Sequence, residues 1–359
     1  MRAAVLHGPR DIRVETVPDP ECGEHDIVLE IAACGVCGSD LHMYTKAMFM
    51  EPGQIAGHEF SGRVVAVGNQ VDGIEVSQRV TASPNVDCGR CARCSAGEPL
   101  LCENQAGNVI SAGLPGAFAE LVRIPKARLG QTVFQLPDSM AFETAALIEP
   151  YAVGLHIAHN ARPGLHDTAV VFGLGMIGLA AVQTLMLAGA ARVIGVDRSA
   201  KRLAAGLEVG AESVVDASSE GWKAELAELT GGGSAGYGGA QSGNVDIVCE
   251  CTGSPVVLRT AIETARRGGR LVVVALYEET AELDPNQIVI KDLRMHGSFG
   301  YGSGAFRGFP DALSLLDEGK LATEPLITHR LELGQIESAF EAQLDRDESI
   351  KVMVNPHTG

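Results

Sequence analysis

Three glycines constrain this chain's architecture more than any other feature. Gly173, Gly175 and Gly178 are spaced G-x-G-x-x-G, directly after the apolar run "TAVVF" and at the opening of "MIGLAAVQTLMLAGA". A buried strand that turns sharply into a helix needs the first glycine for the turn. The second lets the backbone approach a pyrophosphate, and the third lets helix and strand touch. The opening helical turn, with Met176 and Ile177, presents its N–H groups to an anion. Asp197 closes the next strand, "RVIGVD", 24 residues after Gly173. A carboxylate there accepts hydrogen bonds from a ribose 2′-hydroxyl and repels a 2′-phosphate. The pattern points to a dinucleotide, NAD in preference to NADP, with the neighbouring Arg198 as the one group suited to a 2′-phosphate. Without strand, helix and acid together, the glycines would be a turn and Asp197 a helix-flanking cap.

This strand, turn and helix texture continues through "NVDIVCECTG", a helix opening at Ser254-Pro255 and stopping at Gly268-Gly269, and the apolar run "RLVVVAL", which suits a buried parallel sheet. Residues before about 150 read differently. Short β-branched runs such as "DIVLEIAA" and "SGRVVAVG" alternate with Gly and Pro, an all-β texture. After 296, two helical segments and the strand "IKVMVN" are too little to fold alone and are assigned back to the first domain. The expected domains are therefore 1–152 and 297–359 together, and 153–296. With 359 residues and 46 % apolar content the chain can bury two cores. The segment "TGGGSAGYGGAQSGN" at 230–244 reads as a Gly/Ser-rich surface loop.

Charge narrows the partners. With 28 basic against 45 acidic residues the net charge is −17, which argues against nucleic acid and anionic membranes. No run is long enough to span a bilayer, and the N-terminus lacks a signal-peptide pattern, so a cytoplasmic location is expected. Nine cysteines at short spacings then read as metal thiolates or buried thiols. Cys88, Cys91, Cys94 and Cys102 form C-x2-C-x2-C-x7-C, enough to close a tetrahedral shell around a structural zinc. An iron-sulfur cluster is the other tetrathiolate reading. A second group is more open. "CGVCGSDLH" crowds Cys37, Ser39, Asp40 and His42 together, "GHE" supplies His58 and Glu59, and "ALIEP" supplies Glu149. A catalytic zinc needs three protein ligands and one open position, which Cys37, His58 and Glu149 could fill, in a cleft between the domains. Singly, each is an ordinary polar residue.

The segments "CGVCGSD" with His42, "GHEFSGRVVAVG", the four-cysteine lobe, "EPYAVG" and "GLGMIG" together resemble the zinc-dependent alcohol dehydrogenases of the medium-chain dehydrogenase/reductase superfamily, over almost the whole chain. The resemblance implies an α/β protein: a GroES-like, mostly-β catalytic domain with a structural zinc lobe at 88–102, and a Rossmann, doubly wound parallel-sheet domain for NAD. It implies two zincs per chain, the catalytic one on Cys37, His58 and Glu149, with Glu59 beside it either as an alternating ligand or as a carboxylate standing just behind the ligands. It further implies that Asp40 orients His58, and that Ser39 and His42 relay a proton. Glutamate in "EP" is similar to the polyol, butanediol and threonine dehydrogenase branch. The implied reaction interconverts a secondary alcohol or diol and its ketone, with zinc as Lewis acid and hydride passing to NAD. Tyr44, Phe49 and Phe118 are expected pocket walls. Where sorbitol dehydrogenases carry an arginine for polyol hydroxyls, this chain has Phe299, Gly300 and Tyr301, which favours a less polar substrate. The only partner expected is a small alcohol or ketone, and by analogy the chain is a homotetramer, with a dimer second. Two competing readings remain: a zinc-free enoyl or quinone reductase of the same superfamily, which would lack the Cys37, His58 and Glu149 set, and an NAD-sensing scaffold, which would have no use for Ser39 and His42.

Overall fold

The strand Ile27–Gly35 is apolar at nearly every position because side chains on both of its faces are buried, and it is paired along both edges. On one side it runs antiparallel to Glu59–Val67, with Gly35 opposite Glu59. On the other it meets Leu121–Ile124 along its first half and Lys351–Asn355 at its end. Arg79–Ala82, Val133–Gln135 and Ile327–Glu332 complete a seven-stranded sheet. The segment after 302 therefore returns to the first unit by supplying an inner strand: Met353 pairs with Gly35 and Val354 with Cys34. Around this sheet packs a core that includes Leu29, Phe60, Phe118, Phe340 and Val352. The computed structural model describes residues 1–48, 51–235, 241–302 and 308–357.

The second unit is a six-stranded sheet in the order Ser213–Asp216, Arg192–Asp197, Thr168–Phe172, Val245–Glu250, Ala265–Val273 and Arg294–Gly297, parallel throughout. This is the doubly wound dinucleotide-binding order, which reverses beside Thr168–Phe172. Its inner strands are apolar on both faces, with Val170, Ile194, Val248 and Leu271 fully buried.

The compact units are Met1–Ala152 with Gly302–Gly359, and Val153–Tyr301. Residues 297–301, expected in the return segment, lie with the parallel sheet. Gly297 pairs with Val273, the Ser298 N–H donates to Val273 O, and Gly300 O faces His156 Nδ1 at 3.2 Å. Gly268 and Gly269 do not stop a helix either. The helix Pro255–Thr264 ends earlier, at an extended Ala265, and both glycines fall inside the strand Ala265–Val273, where its register against Val245–Glu250 shifts. Within 230–244, Ser234–Ala235 and Gln241–Ser242 pair as a short antiparallel ribbon. Among the described residues no helix is long and apolar enough to cross a membrane.

Candidate metal and cofactor sites

Two strand ends and one helix start build the first cluster. Cys37 caps the helix Gly38–Lys46, and the capping is reciprocal: its side chain faces the Asp40 N–H while Asp40 Oδ2 accepts from the Cys37 N–H at 2.9 Å. Asp40 has no exposed surface. Its Oδ1 accepts from the Gly57 N–H and from Ser111 Oγ, both at 3.3 Å, and lies 3.5 Å from His58 Nδ1. Burial alone would raise the Asp40 carboxyl. The His58 imidazole and the N–H donors outweigh it and hold the group below its usual range. Burial likewise opposes a charge on His58, yet Asp40 and Cys37 lift this imidazole well above its ordinary range in the metal-free chain.

Donor atoms of Cys37, His58 and Glu59 all lie within 4.8 Å of one another. A thiolate, an imidazole and a carboxylate are a donor set that suits zinc with one position left open. Glu149 stands in the first turn of the helix Ile148–Ala161, outside that three-donor group but close enough to act on it. It is 8 % exposed, and its carboxyl is pushed up to about 7, chiefly by burial; Glu59 adds to the rise and His58 opposes it. Ser39 and His42, three residues apart, share one face of the Cys37-capped helix, and both are partly exposed.

The four-cysteine lobe is equally definite. Cys88, Cys91, Cys94 and Cys102 bring their sulfurs within 4.8 Å of one another, and all are free thiols. Cys88 to Cys94 is 3.9 Å and Cys91 to Cys102 is 4.0 Å. A tetrahedral zinc with bonds of about 2.3 Å sets its sulfurs about 3.8 Å apart, so the shell fits. The N–H groups of Cys91, Cys94 and Asn104 point at Cys88, Cys91 and Cys102 sulfurs, each at 3.4 Å. Backbone N–H groups of Arg90 and Cys91 pull the Cys88 thiol down to about 6, whereas burial and the neighbouring sulfurs push Cys94 up to about 12. Thiolates this close repel one another, and a cation among them would offset that repulsion.

In the parallel-sheet unit, Gly173 has φ +89° and its N–H donates to Val196 O at 2.8 Å. A Cβ on Gly178 would stand 1.8 Å from Gly173 O, so strand turn and helix touch backbone to backbone. At Gly175 nothing crowds the backbone; the nearest atom to a Cβ there is Arg202 Nη1 at 3.8 Å. Asp197 is held by its own turn. Its Oδ2 accepts from the Leu174 N–H at 2.6 Å, and its Oδ1 accepts from Arg198 N–H at 2.7 Å and Ser199 N–H at 2.9 Å. Gly173, Gly175, Met176, Ile177 and Gly178 thus frame an open helix start with the carboxylate fixed beside it, a cradle that suits a dinucleotide.

The expected pocket walls fare differently. Tyr44 is 1 % exposed, packs edge-on against Phe340 at 5.0 Å and donates its hydroxyl to Glu341 at 3.0 Å; Phe118 is fully buried against the same ring at 5.5 Å. Both rings pack in the core around Phe340. Phe49 lies outside the described residues. Three residues that no motif announces complete the sites: Ser111, which donates to Asp40; Arg202, beside the second glycine; and Lys351, a buried cation at Glu59. Only Lys351 left a trace in the sequence, a lone charge in the apolar run "IKVMVN".

Comparison with known proteins places this geometry. The family described as alcohol dehydrogenase GroES-like domain matches residues 23–138, and that described as zinc-binding dehydrogenase matches 177–318. The chain is 33 % identical to a sorbitol dehydrogenase of Bacillus subtilis (strain 168), covering 99 % of this chain and 98 % of the relative. It is 34 % identical to the (R,R)-butanediol dehydrogenase of the same strain, covering 99 % and 100 %. Among solved structures, 2R,3R-butanediol dehydrogenase from Bacillus subtilis aligns with a TM-score of 0.84 at 33 % identity, over 99 % of both chains. A Sinorhizobium meliloti 1021 protein bound to NADP aligns with the same TM-score at 30 % identity, also over 99 % of both. Domain matches, full-length relatives and the clustered donors converge: the chain belongs to the zinc-dependent alcohol dehydrogenases of the medium-chain dehydrogenase/reductase superfamily.

Proposed function

We propose that the chain interconverts a secondary alcohol or vicinal diol and its ketone, with NAD as the hydride carrier and two zincs per chain. The observation that carries this reading is the cluster of Cys37, His58 and Glu59 backed by Asp40. Cys37 and His58 would hold the catalytic zinc with a carboxylate as third donor. The 4.8 Å grouping supports Glu59 in that place, with Glu149 the carboxylate implied by the family resemblance. The structural zinc belongs on Cys88, Cys91, Cys94 and Cys102. Relatives named for sorbitol and for butanediol bracket the substrate class. Phe299, Gly300 and Tyr301, in place of a polyol-binding arginine, favour the less polar end of it.

A zinc held there would supply a Lewis acid for the alcohol oxygen, and a bound nicotinamide would supply the hydride acceptor. The protein's own groups do the rest. Asp40 fixes the ring of His58 through Nδ1 and so leaves Nε2 as the donor. Ser39 Oγ takes the hydroxyl proton and passes it toward His42, so that oxidation of one alcohol yields one ketone, one NADH and one proton. Asp197, held at the end of its strand, accepts from the ribose hydroxyls and opposes a 2′-phosphate. Neither competing reading needs this set: a zinc-free reductase has no use for the donors, and a scaffold has none for Ser39 and His42.

Rates of NADH and NADPH formation across secondary alcohols, vicinal diols, polyols and threonine test the assignment. The expected outcome is turnover of a secondary alcohol or diol with kcat/KM at least about tenfold higher for NAD, which corresponds to about 1.4 kcal/mol of discrimination. An NADP preference would reassign the role to Arg198 and Arg202, and turnover confined to polyols would remove the substrate argument. Elemental analysis should find two zincs per chain, and light scattering a homotetramer.

A further inference from the structure

Lys351 belongs to no motif, and the mechanism above does not use it. It opens the strand Lys351–Asn355 and reaches Glu59, 292 residues away. Its Nζ donates to Glu59 Oε2 at 2.6 Å, to Glu59 Oε1 at 2.8 Å and to Val36 O at 2.8 Å. All three ammonium donors are used, and the two side chains are 2 % and 1 % exposed. The space they occupy is made by Gly35: a Cβ there would lie 2.3 Å from Glu59 Oε2 and 3.3 Å from Lys351 Cδ. Val36 immediately precedes Cys37, and Glu59 immediately follows His58. One buried cation therefore ties the backbone that delivers the thiolate to the carboxylate that stands beside the imidazole. Burial works against the ammonium, but Glu59, then Cys37 and Asp40, keep it charged. A buried charge is tolerated only with such partners.

We propose that Lys351 is a positioning residue of the catalytic metal site, fixing Glu59 and the Val36–Cys37 backbone in the arrangement that gathers thiolate, imidazole and carboxylate. The inference rests on the reading of Cys37, His58 and Glu59 as a zinc site.

The test uses the full chain with cobalt replacing zinc at this site, read by its visible absorption and by chelator competition. The variants are Lys351→Gln, and Gly35→Ala, which keeps both charges but pushes the carboxylate aside. Each should weaken metal binding by about 10- to 100-fold and shift the cobalt bands, the usual effect of removing a group that orients a ligand. Adding Lys351→Gln to Glu59→Gln should then cost less affinity than Lys351→Gln does alone, because only the hold on Val36 O is left to lose. If Lys351→Gln does not fold, Gly35→Ala gives the same reading. Variants with a lowered unfolding temperature but unchanged affinity and spectrum would make the pair a core ion pair only, and overturn the proposal. A wild-type chain that takes no metal at Cys37 and His58 would instead fail the zinc reading itself.

Discussion

At Asp40 a carboxylate without exposed surface accepts from the Cys37 N–H, the Gly57 N–H and Ser111 while facing His58. Removing its charge leaves those donors around a neutral amide and frees the His58 ring to turn. Asp40→Asn should therefore weaken zinc binding at this site by about 10- to 100-fold in a competition titration; unchanged affinity would mean that the backbone alone orients His58. The same contacts set a pH dependence. In the metal-free chain His58 is held well above its usual range, and zinc requires the neutral ring and the Cys37 thiolate. Zinc uptake must then release protons, and apparent affinity should rise with pH, by about tenfold per pH unit for each proton displaced. Calorimetry in buffers of different ionisation enthalpy measures that release, and a buffer-independent heat would contradict it. These residues were legible singly and in pairs, because Cys37, Asp40, His58 and Glu59 sit in short motifs. Ser111 and Lys351 were not, since each reaches the site across a long chain separation that only the folded sheet closes.

Among the elements, the turn from Thr168–Phe172 into Met176–Leu187 is the most fully determined by local sequence. A methyl group on Gly178 would meet Gly173 O at 1.8 Å, so the helix must move off the strand end that carries the cradle. Gly178→Ala should cost at least about 1–3 kcal/mol of stability and weaken NADH binding, followed by nicotinamide fluorescence. Wild-type binding in a fully folded variant would show that the close approach is incidental. The parallel strands and their helices could be read from period and punctuation alone. Boundaries could not: Gly268 and Gly269 have the composition of a helix stop but serve a strand whose register shifts against its neighbour. Tyr44 and Phe118 show the opposite difficulty. An aromatic ring suits a pocket wall and a core equally well, and the choice was made by Phe340, which lies far along the chain.

Across the whole molecule, the C-terminal strand decides whether the first unit exists. Lys351–Asn355 lies between Ile27–Gly35 and Ile327–Glu332 in the sheet, and its lysine neutralises Glu59. A chain stopped before residue 346 would leave the Cys34–Gly35 end of Ile27–Gly35 with an open edge and Glu59 with a buried, unpaired charge. Such a truncation should abolish folding of the mostly-β unit, visible as loss of its slowest-exchanging amides, while the parallel sheet at 153–301 keeps its own protection. Retained protection in Ile27–Gly35 would show that the returning strand is dispensable. The reading of the chain as a zinc-dependent alcohol dehydrogenase is tested most directly by removing and restoring the metal. Oxidation of a secondary alcohol or diol by NAD should fall to background when zinc is stripped by a strong chelator and return in proportion to zinc re-added at Cys37 and His58. Turnover that persists in chain shown by elemental analysis to hold no zinc would contradict it.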